Sequence, residues 1–424
     1  MSYKKETQCV QAGYTPGNGE PRVLPIYQST TYKYDSSEHL GKLFDLEADG
    51  HMYSRISNPT VSCVEEKIAA LEGGVGALCT TSGQAANLLA ILNITSSGEN
   101  FVSLSSIYGG TINLFAVTLK RLGIEVRFIT PDMTDEQVEA LFDDKTRLVF
   151  GETIANPALD VLDIEKYAKL AHAHNIPLVV DNTFATPVLC RPFEFGADIV
   201  VHSTTKYMDG QATVVGGVIV DSGNFDWTVD NKFPGLTEPD ESYHGVVYTK
   251  NFGKAAYITK ARVQLMRDFG VLPPAISAFL LNSGLTTLHL RMERHSENAL
   301  KVAKYLENND KVAWVNYPGL ESSKDFALAQ KYLPDGCSGV ISFGVKGGRD
   351  AAVKFMDSLK LAAIVVHVAD ARTCVLHPAS TTHRQLTDEQ LVAAGIGADL
   401  VRMSIGIENV DDIIADIEQA LCQA

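Results

Sequence analysis

The sequence predicts an α/β protein, with a mostly parallel sheet covered by helices on both faces and a smaller α+β domain after it. Three observations predict this. Between residues 75 and 220 short apolar runs alternate with amphipathic segments, the pattern of repeated βα units. Those runs are near-continuous in Val, Ile and Leu, as strands buried on both faces must be. From about residue 266 the pattern changes to long helical stretches mixed with alternating strands.

Residues 1–60 are rich in Tyr, Thr, Ser, Gly and Pro, and Pro16, Pro21 and Pro25 punctuate them. Such a segment lacks the periodicity of a folding unit. It reads as an arm wrapped over another surface, including that of a second subunit. Its aromatic residues (Tyr14, Tyr27, Tyr32, Tyr34, Phe44, Tyr53) favour packing over disorder. Asn58-Pro59-Thr60 then opens a helix with Val61, Val64, Ile68 and Leu71 on one face and Gly73-Gly74 as its stop.

The spacing next predicts strands at 75–80, 100–104, 125–129, 147–151, 177–180, 197–201 and 214–220. Helices are predicted between them at 84–94, 111–122, 135–141 and 164–174. Residues 221–249 read as loop and 251–268 as helix, ahead of Pro273-Pro274. A long helix follows at 285–306, with Leu288, Met292, His295 and Ala299 on one face. Strands at 340–345 and 402–407 and a helix at 411–420 complete the chain. The division expected is an arm (1–60), a large domain (61–265) and a small domain (266–424).

At 424 residues the chain is long for a single domain, and its 45% hydrophobic and 21% charged content is that of a soluble enzyme. The net charge of -15 argues against nucleic acid or an anionic membrane as partner, since both need a positive patch. No apolar run approaches the roughly 18–20 residues of a membrane helix. The start, Met1-Ser2-Tyr3-Lys4, lacks the apolar core of a signal peptide. The cysteines are 7 in number, widely spaced and without a C-x-x-C, so neither a disulfide framework nor a metal site is indicated. A reducing cytoplasm is the location expected.

In doubly covered parallel sheets ligands sit beyond the carboxyl ends of the strands. Ser82-Gly83, residues 105–108, Asn156, Asp181 and residues 203–206 all fall at such ends. Lys206 follows a β-branched run and three hydroxyl residues, Ser203-Thr204-Thr205. A buried ammonium must be paired, deprotonated or covalently used. A surface lysine is the commoner outcome at an arbitrary strand end, but here the hydroxyls suit a phosphate, and Lys206 reads as a Schiff-base lysine. Asp181 ends another apolar run and needs a cation, which the ring nitrogen of pyridoxal phosphate supplies.

The remaining candidates are weaker one by one. Ser82-Gly83-Gln84 joins a strand to a helix start, where backbone N–H groups and the helix dipole attract an anion. Tyr108 precedes Gly109-Gly110 and could stack on a flat ring. Tyr53-Ser54-Arg55 could clamp a phosphate from the arm. Arg402 interrupts an apolar strand, which suits a bidentate grip on a carboxylate. No G-x-G-x-x-G opens a helix after the early strands, so a nicotinamide dehydrogenase is set aside.

Together Ser203-Thr204-Thr205-Lys206-Tyr207, Asp181-Asn182-Thr183, Tyr53-Ser54-Arg55, Asn58-Pro59-Thr60, Ser82-Gly83 and Arg402-Met403-Ser404-Ile405-Gly406 resemble the Cys/Met-metabolism enzymes that use pyridoxal phosphate. The resemblance runs over nearly the whole chain. It implies a fold-type I, aspartate aminotransferase-like large domain and a homotetramer built from tight dimers. It implies Lys206 as the covalent lysine and proton carrier, Asp181 on the pyridinium nitrogen and Tyr108 over the ring. It further implies Ser82, Gly83, Gln84, Ser203 and Thr205 on the phosphate, joined by Tyr53 and Arg55 of a neighbouring subunit. Thr183 would steady the ring and Asn156 its 3′-oxygen. Arg402 would hold the substrate carboxylate, with Tyr53, Tyr108 and His367 also at the substrate.

Within the family, Phe233-Pro234-Gly235-Leu236, Tyr243-His244-Gly245 and His377-Pro378-Ala379-Ser380-Thr381-Thr382-His383 look like the sulfhydrylase branch. Methionine γ-lyases typically carry a cysteine two residues after the stacking tyrosine, and this chain has Gly110 there. The reaction implied is replacement at the γ-carbon of an acylated homoserine by sulfide or a thiol. Methionine and cystathionine lyases, or a cystathionine synthase, are the alternatives on the same scaffold. His367 departs from the pattern, since sulfhydrylases more often have Asn at that point.

Overall fold

Helix Pro59–Glu72 shows how locally the sequence dictates the fold. The Asn58 side chain accepts the Thr60 N–H, Pro59 occupies the first helical position, and Gly73 closes the helix in the left-handed region at φ 82°. Its Val61, Val64, Ile68 and Leu71 are all fully buried, so the predicted face is the packed one. The computed structural model describes residues 3–381 and 397–424. Of the 377–383 motif, Thr382 and His383 therefore lie outside the described residues.

The large sheet has seven strands: β1 (Gly76–Thr80), β2 (Asn100–Leu104), β3 (Glu125–Ile129), β4 (Thr146–Glu152), β5 (Leu178–Asp181), β6 (Ile199–His202) and β7 (Gly217–Asp221). Their order is β1-β7-β6-β5-β4-β2-β3. Only β7 runs antiparallel to its neighbours. The other pairings are parallel, so β2, β4, β5 and β6 discharge their carboxyl ends on one edge. Val179, Val180, Ile199, Val200 and Val201 have no exposed surface, as a sheet covered on both faces requires.

A second sheet follows, formed by β8 (Val312–Asn316), β9 (Val340–Val345), β10 (Ala363–Ile364), β11 (Cys374–Leu376) and β12 (Leu400–Ser404), in the order β10-β11-β12-β9-β8. The fold is thus the expected one, a mostly parallel α/β layer followed by a smaller mixed sheet. Among the described residues no helix is long and apolar enough to cross a membrane.

Several predicted elements need correction. The long helix at 285–306 is two, Ala275–Thr286 and Leu288–Glu307, because Thr287 leaves the helical region at φ -107° and ψ 7°. The predicted face is nonetheless right, since Leu288, Met292, His295 and Ala299 are buried. The strand at 214–220 begins only at Gly217, because Gly216 bonds the Thr205 hydroxyl instead of a neighbouring strand. The helix at 111–122 starts at Gly109 and widens to a π-helix over Leu114–Leu119. Strands β8, β10 and β11 were not predicted. They are short, and β8 exposes Ala313 and Trp314, so neither an apolar run nor a clean alternation marks it.

The arm carries short helices at Lys5–Gln11 and Ser37–Phe44 and is otherwise irregular. Leu24 and Leu43 are buried, whereas Tyr27, Phe44 and Tyr53 stay exposed.

Candidate active site

The carboxyl ends of β4, β5 and β6 bring four of the predicted groups together. Asp181 is the last residue of β5, and its Oδ1 accepts the Thr183 backbone N–H at 3.0 Å and the Thr183 hydroxyl at 2.5 Å. The Thr183 oxygen in turn accepts the Ser203 N–H at 2.8 Å, which ties the turn after β6 to Asp181. Burial pushes the Asp181 carboxyl above its ordinary value, while the Thr183 hydroxyl and nearby His202 pull it back. No cationic side chain among the described residues donates a hydrogen bond to it, so its carboxylate suits a cation brought by a ligand.

Lys206 lies one turn beyond β6, with its N–H on the Ser203 carbonyl at 3.2 Å and its own carbonyl accepting the Gly210 N–H at 2.8 Å. Burial, and then the charge of Arg402, lower its amine to about 8. An amine so adjusted is partly free base near neutrality, as a carbonyl-capturing lysine must be.

Arg402 reaches this cluster from β12. It is 8% exposed, and it donates to the Asn156 Oδ1 at 3.1 Å and the Val366 carbonyl at 3.4 Å. Burial presses its pKa downward. No carboxylate is among its hydrogen-bond partners in the described residues. A buried guanidinium held only by neutral oxygens is a site for an incoming anion.

Ser82 caps helix Gly83–Leu92, its hydroxyl accepting the Ala85 N–H at 3.1 Å. At Gly83 a Cβ would lie 2.7 Å from the Ser203 Cβ, so only glycine lets this helix start approach the turn before Lys206. Gln84 has a buried Oε1 without a hydrogen-bond partner among the described residues. The Thr205 hydroxyl, expected on a phosphate, is engaged with the backbone of Gly216 at 3.0 and 3.1 Å.

Tyr108 follows β2 and is 49% exposed, with its N–H donated to the Glu152 Oε1 at 2.7 Å. Gly110 sits against it: a Cβ there would be 2.5 Å from the Tyr108 ring and 2.9 Å from the Gln84 amide. Any larger residue at 110 must therefore move the ring or the amide. His367 is half-buried beside Lys206, and burial and the lysine charge lower its pKa. Its Nε2 stands 3.8 Å from Asp370, too far to hydrogen-bond, and is otherwise unpartnered.

Two predicted residues are not brought to this cluster. Arg55 donates to the Arg267 carbonyl and lies 5.5 Å over the Tyr53 ring. Tyr53 is 45% exposed. Sequence reading also missed Glu152, a buried acid at the end of β4, although a charge directly after Leu148-Val149-Phe150-Gly151 was the available signal. It missed as well the fully buried pair of His202 and Glu72, 2.6 Å apart beneath the same turn. His202 ends a strand like Asp181 does, but a histidine there gives no sign of its partner 130 positions away.

The residues present fit pyridoxal phosphate: a lysine poised to capture an aldehyde, a buried carboxylate awaiting a ring cation, and a helix start that only glycine permits beside the lysine turn. Fold and site thus define a pyridoxal-phosphate enzyme of fold-type I. The chain belongs to the family described as Cys/Met metabolism PLP-dependent enzymes, which residues 6–422 match.

It is 49% identical to the homocysteine synthase of Schizosaccharomyces pombe over 98% of this chain and 97% of that protein. It is 46% identical to the O-acetyl-L-homoserine sulfhydrylase of Leptospira meyeri over 99% of this chain and 97% of the relative. A crystal structure of an O-acetylhomoserine (thiol)-lyase from Campylobacter jejuni superposes with a TM-score of 0.95 at 37% identity, covering 99% of this chain and all 100% of that one. That protein carries a pyridoxyl-lysine phosphate.

Proposed function

We propose that the enzyme replaces the acetoxy group of O-acetyl-L-homoserine with sulfide, yielding L-homocysteine and acetate, and that methanethiol in place of sulfide yields L-methionine. The observation that carries the reading is that Lys206, its amine lowered to about 8 in part by the charge of Arg402, shares the site with a buried Arg402 that has no carboxylate partner among the described residues. An α-amino acid presents one carboxylate for Arg402 and one α-proton for Lys206. The names of the full-length relatives support the choice of substrate, and Gly110 under Tyr108 supports replacement over elimination.

Pyridoxal phosphate, when bound, supplies an electron sink for negative charge developing at the substrate Cα. The chain's own residues do the rest. Arg402, steadied by Asn156, fixes the carboxylate and so sets which Cα bond faces Lys206. The Lys206 Nζ removes the α-proton, then serves again at Cβ as acetate leaves Cγ; hydrosulfide adds at Cγ and the protons return. Asp181, oriented by Thr183, would pair with the ring nitrogen and keep it protonated. Ser82, Gly83, Gln84 and Ser203 would hold the phosphate, joined by Thr205 once its hydroxyl leaves Gly216, and Tyr108 would stack on the ring. His367, at the mouth beside Lys206, joins Arg402 at the carboxylate.

Tyr53 and Arg55 complete the phosphate site of a neighbouring copy, in a homotetramer of tight dimers in the cytoplasm. The arm (1–60), large domain (61–265) and small domain (266–424) belong to the same proposal. Product analysis tests it. With sulfide, acetyl-homoserine should give homocysteine faster than succinyl-homoserine does, and methionine alone should give no 2-oxobutanoate. Rapid 2-oxobutanoate release from methionine would make the protein a lyase.

A further inference from the structure

Behind the site lies an acid that the reaction above does not use. Glu152 ends β4 directly in register with Asp181 at the end of β5, and it is 7% exposed. Two carboxylates in one buried place do not both ionise readily. Asp181 has the Thr183 N–H and hydroxyl as donors, and a ring cation when the cofactor is bound. Among the described residues Glu152 has only backbone groups as partners. Burial first, and then the Asp181 charge, push its pKa well above the ordinary carboxyl range.

Those backbone donors are what give the acid a role. Glu152 Oε1 accepts the Tyr108 N–H at 2.7 Å, across 44 positions of sequence. The Asn156 backbone N–H is the second backbone group that favours the charged form of this carboxyl. Tyr108 carries the ring expected over the cofactor. Asn156 carries the amide oxygen that orients Arg402 at 3.1 Å. One buried group thus anchors the cofactor face and, through Asn156, the carboxylate grip on the second sheet.

We propose that Glu152 is a positioning residue that holds Tyr108 and the Asn156–Arg402 pair in register with each other across the site. It never touches the reacting atoms. The assignment rests on the pyridoxal-phosphate reading. It requires an oxygen acceptor at position 152 and no negative charge there.

Glu152→Gln and Glu152→Met have similar volumes and differ in whether they offer that acceptor. The proteins should be compared by cofactor affinity, by the visible circular dichroism of the bound cofactor, and by KM against kcat for acetyl-homoserine. Glu152→Gln should match the natural protein within about threefold on every readout. Glu152→Met should bind cofactor roughly tenfold more weakly, lose visible dichroism and show a raised KM, the scale expected when buried donors lose their acceptor. Glu152→Met with natural affinity, dichroism and KM would overturn the proposal. So would Glu152→Gln as impaired as Glu152→Met at an unchanged apoprotein melting temperature, because charge would then be the requirement. A Met variant that fails to fold where the Gln variant folds would make Glu152 a folding residue and reject the assignment equally. Failure of the underlying reading looks different, since the natural protein would then show no visible cofactor band at all.

Discussion

The wall formed by the ends of β4, β5 and β6 differs from the arm around Tyr53 and Arg55 in how far each is finished within one chain. In the wall, Ser203 is tied to Thr183, Thr183 to Asp181 and Tyr108 to Glu152, all at hydrogen-bonding distance. Arg402 joins it from the other sheet through Asn156. In the arm, the Arg55 guanidinium meets, among the described residues, only a backbone carbonyl and a half-exposed tyrosine ring. A chelating arginine spent on a carbonyl at the surface is a group without its anion. The difference is the one expected under the proposal that one copy builds the chemistry and that its arm serves a site on another copy.

Breaking the wall should cost most. Lys206→Ala should lower kcat by about 10³-fold or more and abolish the visible cofactor band, since base and covalent anchor go together. Turnover at the natural rate in that variant would remove the basis of the mechanism. Arg402→Lys keeps the charge but loses the planar fork, and steady-state kinetics should show KM for acetyl-homoserine raised roughly 10- to 100-fold. An unchanged KM would put the substrate carboxylate elsewhere.

On the arm, Arg55→Ala should leave the fold intact and weaken cofactor retention by about tenfold in equilibrium dialysis. Undiminished retention would separate the arm from the phosphate. The smallest effect concerns the turn after β2. Gly110→Cys must displace the Tyr108 ring or the Gln84 amide, and sulfhydrylase kcat/KM should fall roughly 3- to 10-fold while the melting temperature barely moves.

Protonation sharpens the same comparison. The Lys206 amine captures the cofactor as free base, and its folded pKa is lowered from 10.5 to about 8. Capture by the apoprotein should therefore quicken as pH rises and level off above about 8, followed by stopped-flow absorbance. A plateau reached only near the pKa of an ordinary lysine would show that burial and Arg402 do not act on the amine.

The wall was legible in the sequence because its charges interrupt apolar runs. Asp181 and Lys206 stand at the ends of Val- and Ile-rich strands, where an unpaired charge has no structural excuse. Arg402 breaks an apolar strand in the same way. The parallel sheet was legible from the βα alternation, whereas β8, β10 and β11 were hidden by being short or half-exposed. Glu152 escaped because its partners are backbone N–H groups 44 positions away and closer by, and backbone donors leave no mark in a residue pattern. The break at Thr287 escaped because the apolar pattern runs through it. For Tyr53 and Arg55 the residue types pointed to a phosphate, but only the family resemblance pointed to the site of another subunit, since an irregular arm has no periodicity to read.

Mixing two impaired variants tests the central claim most directly. Lys206→Ala and Arg55→Ala chains are unfolded together, refolded as hybrids and assayed for homocysteine formation with saturating acetyl-homoserine and limiting cofactor. If the wall of one copy works with the arm of another, each hybrid pair contains one site with natural Lys206 and natural Arg55, and activity well above either parent returns. If a single chain supplies both, every site in the mixture carries a defect, and activity stays at the level of the parents.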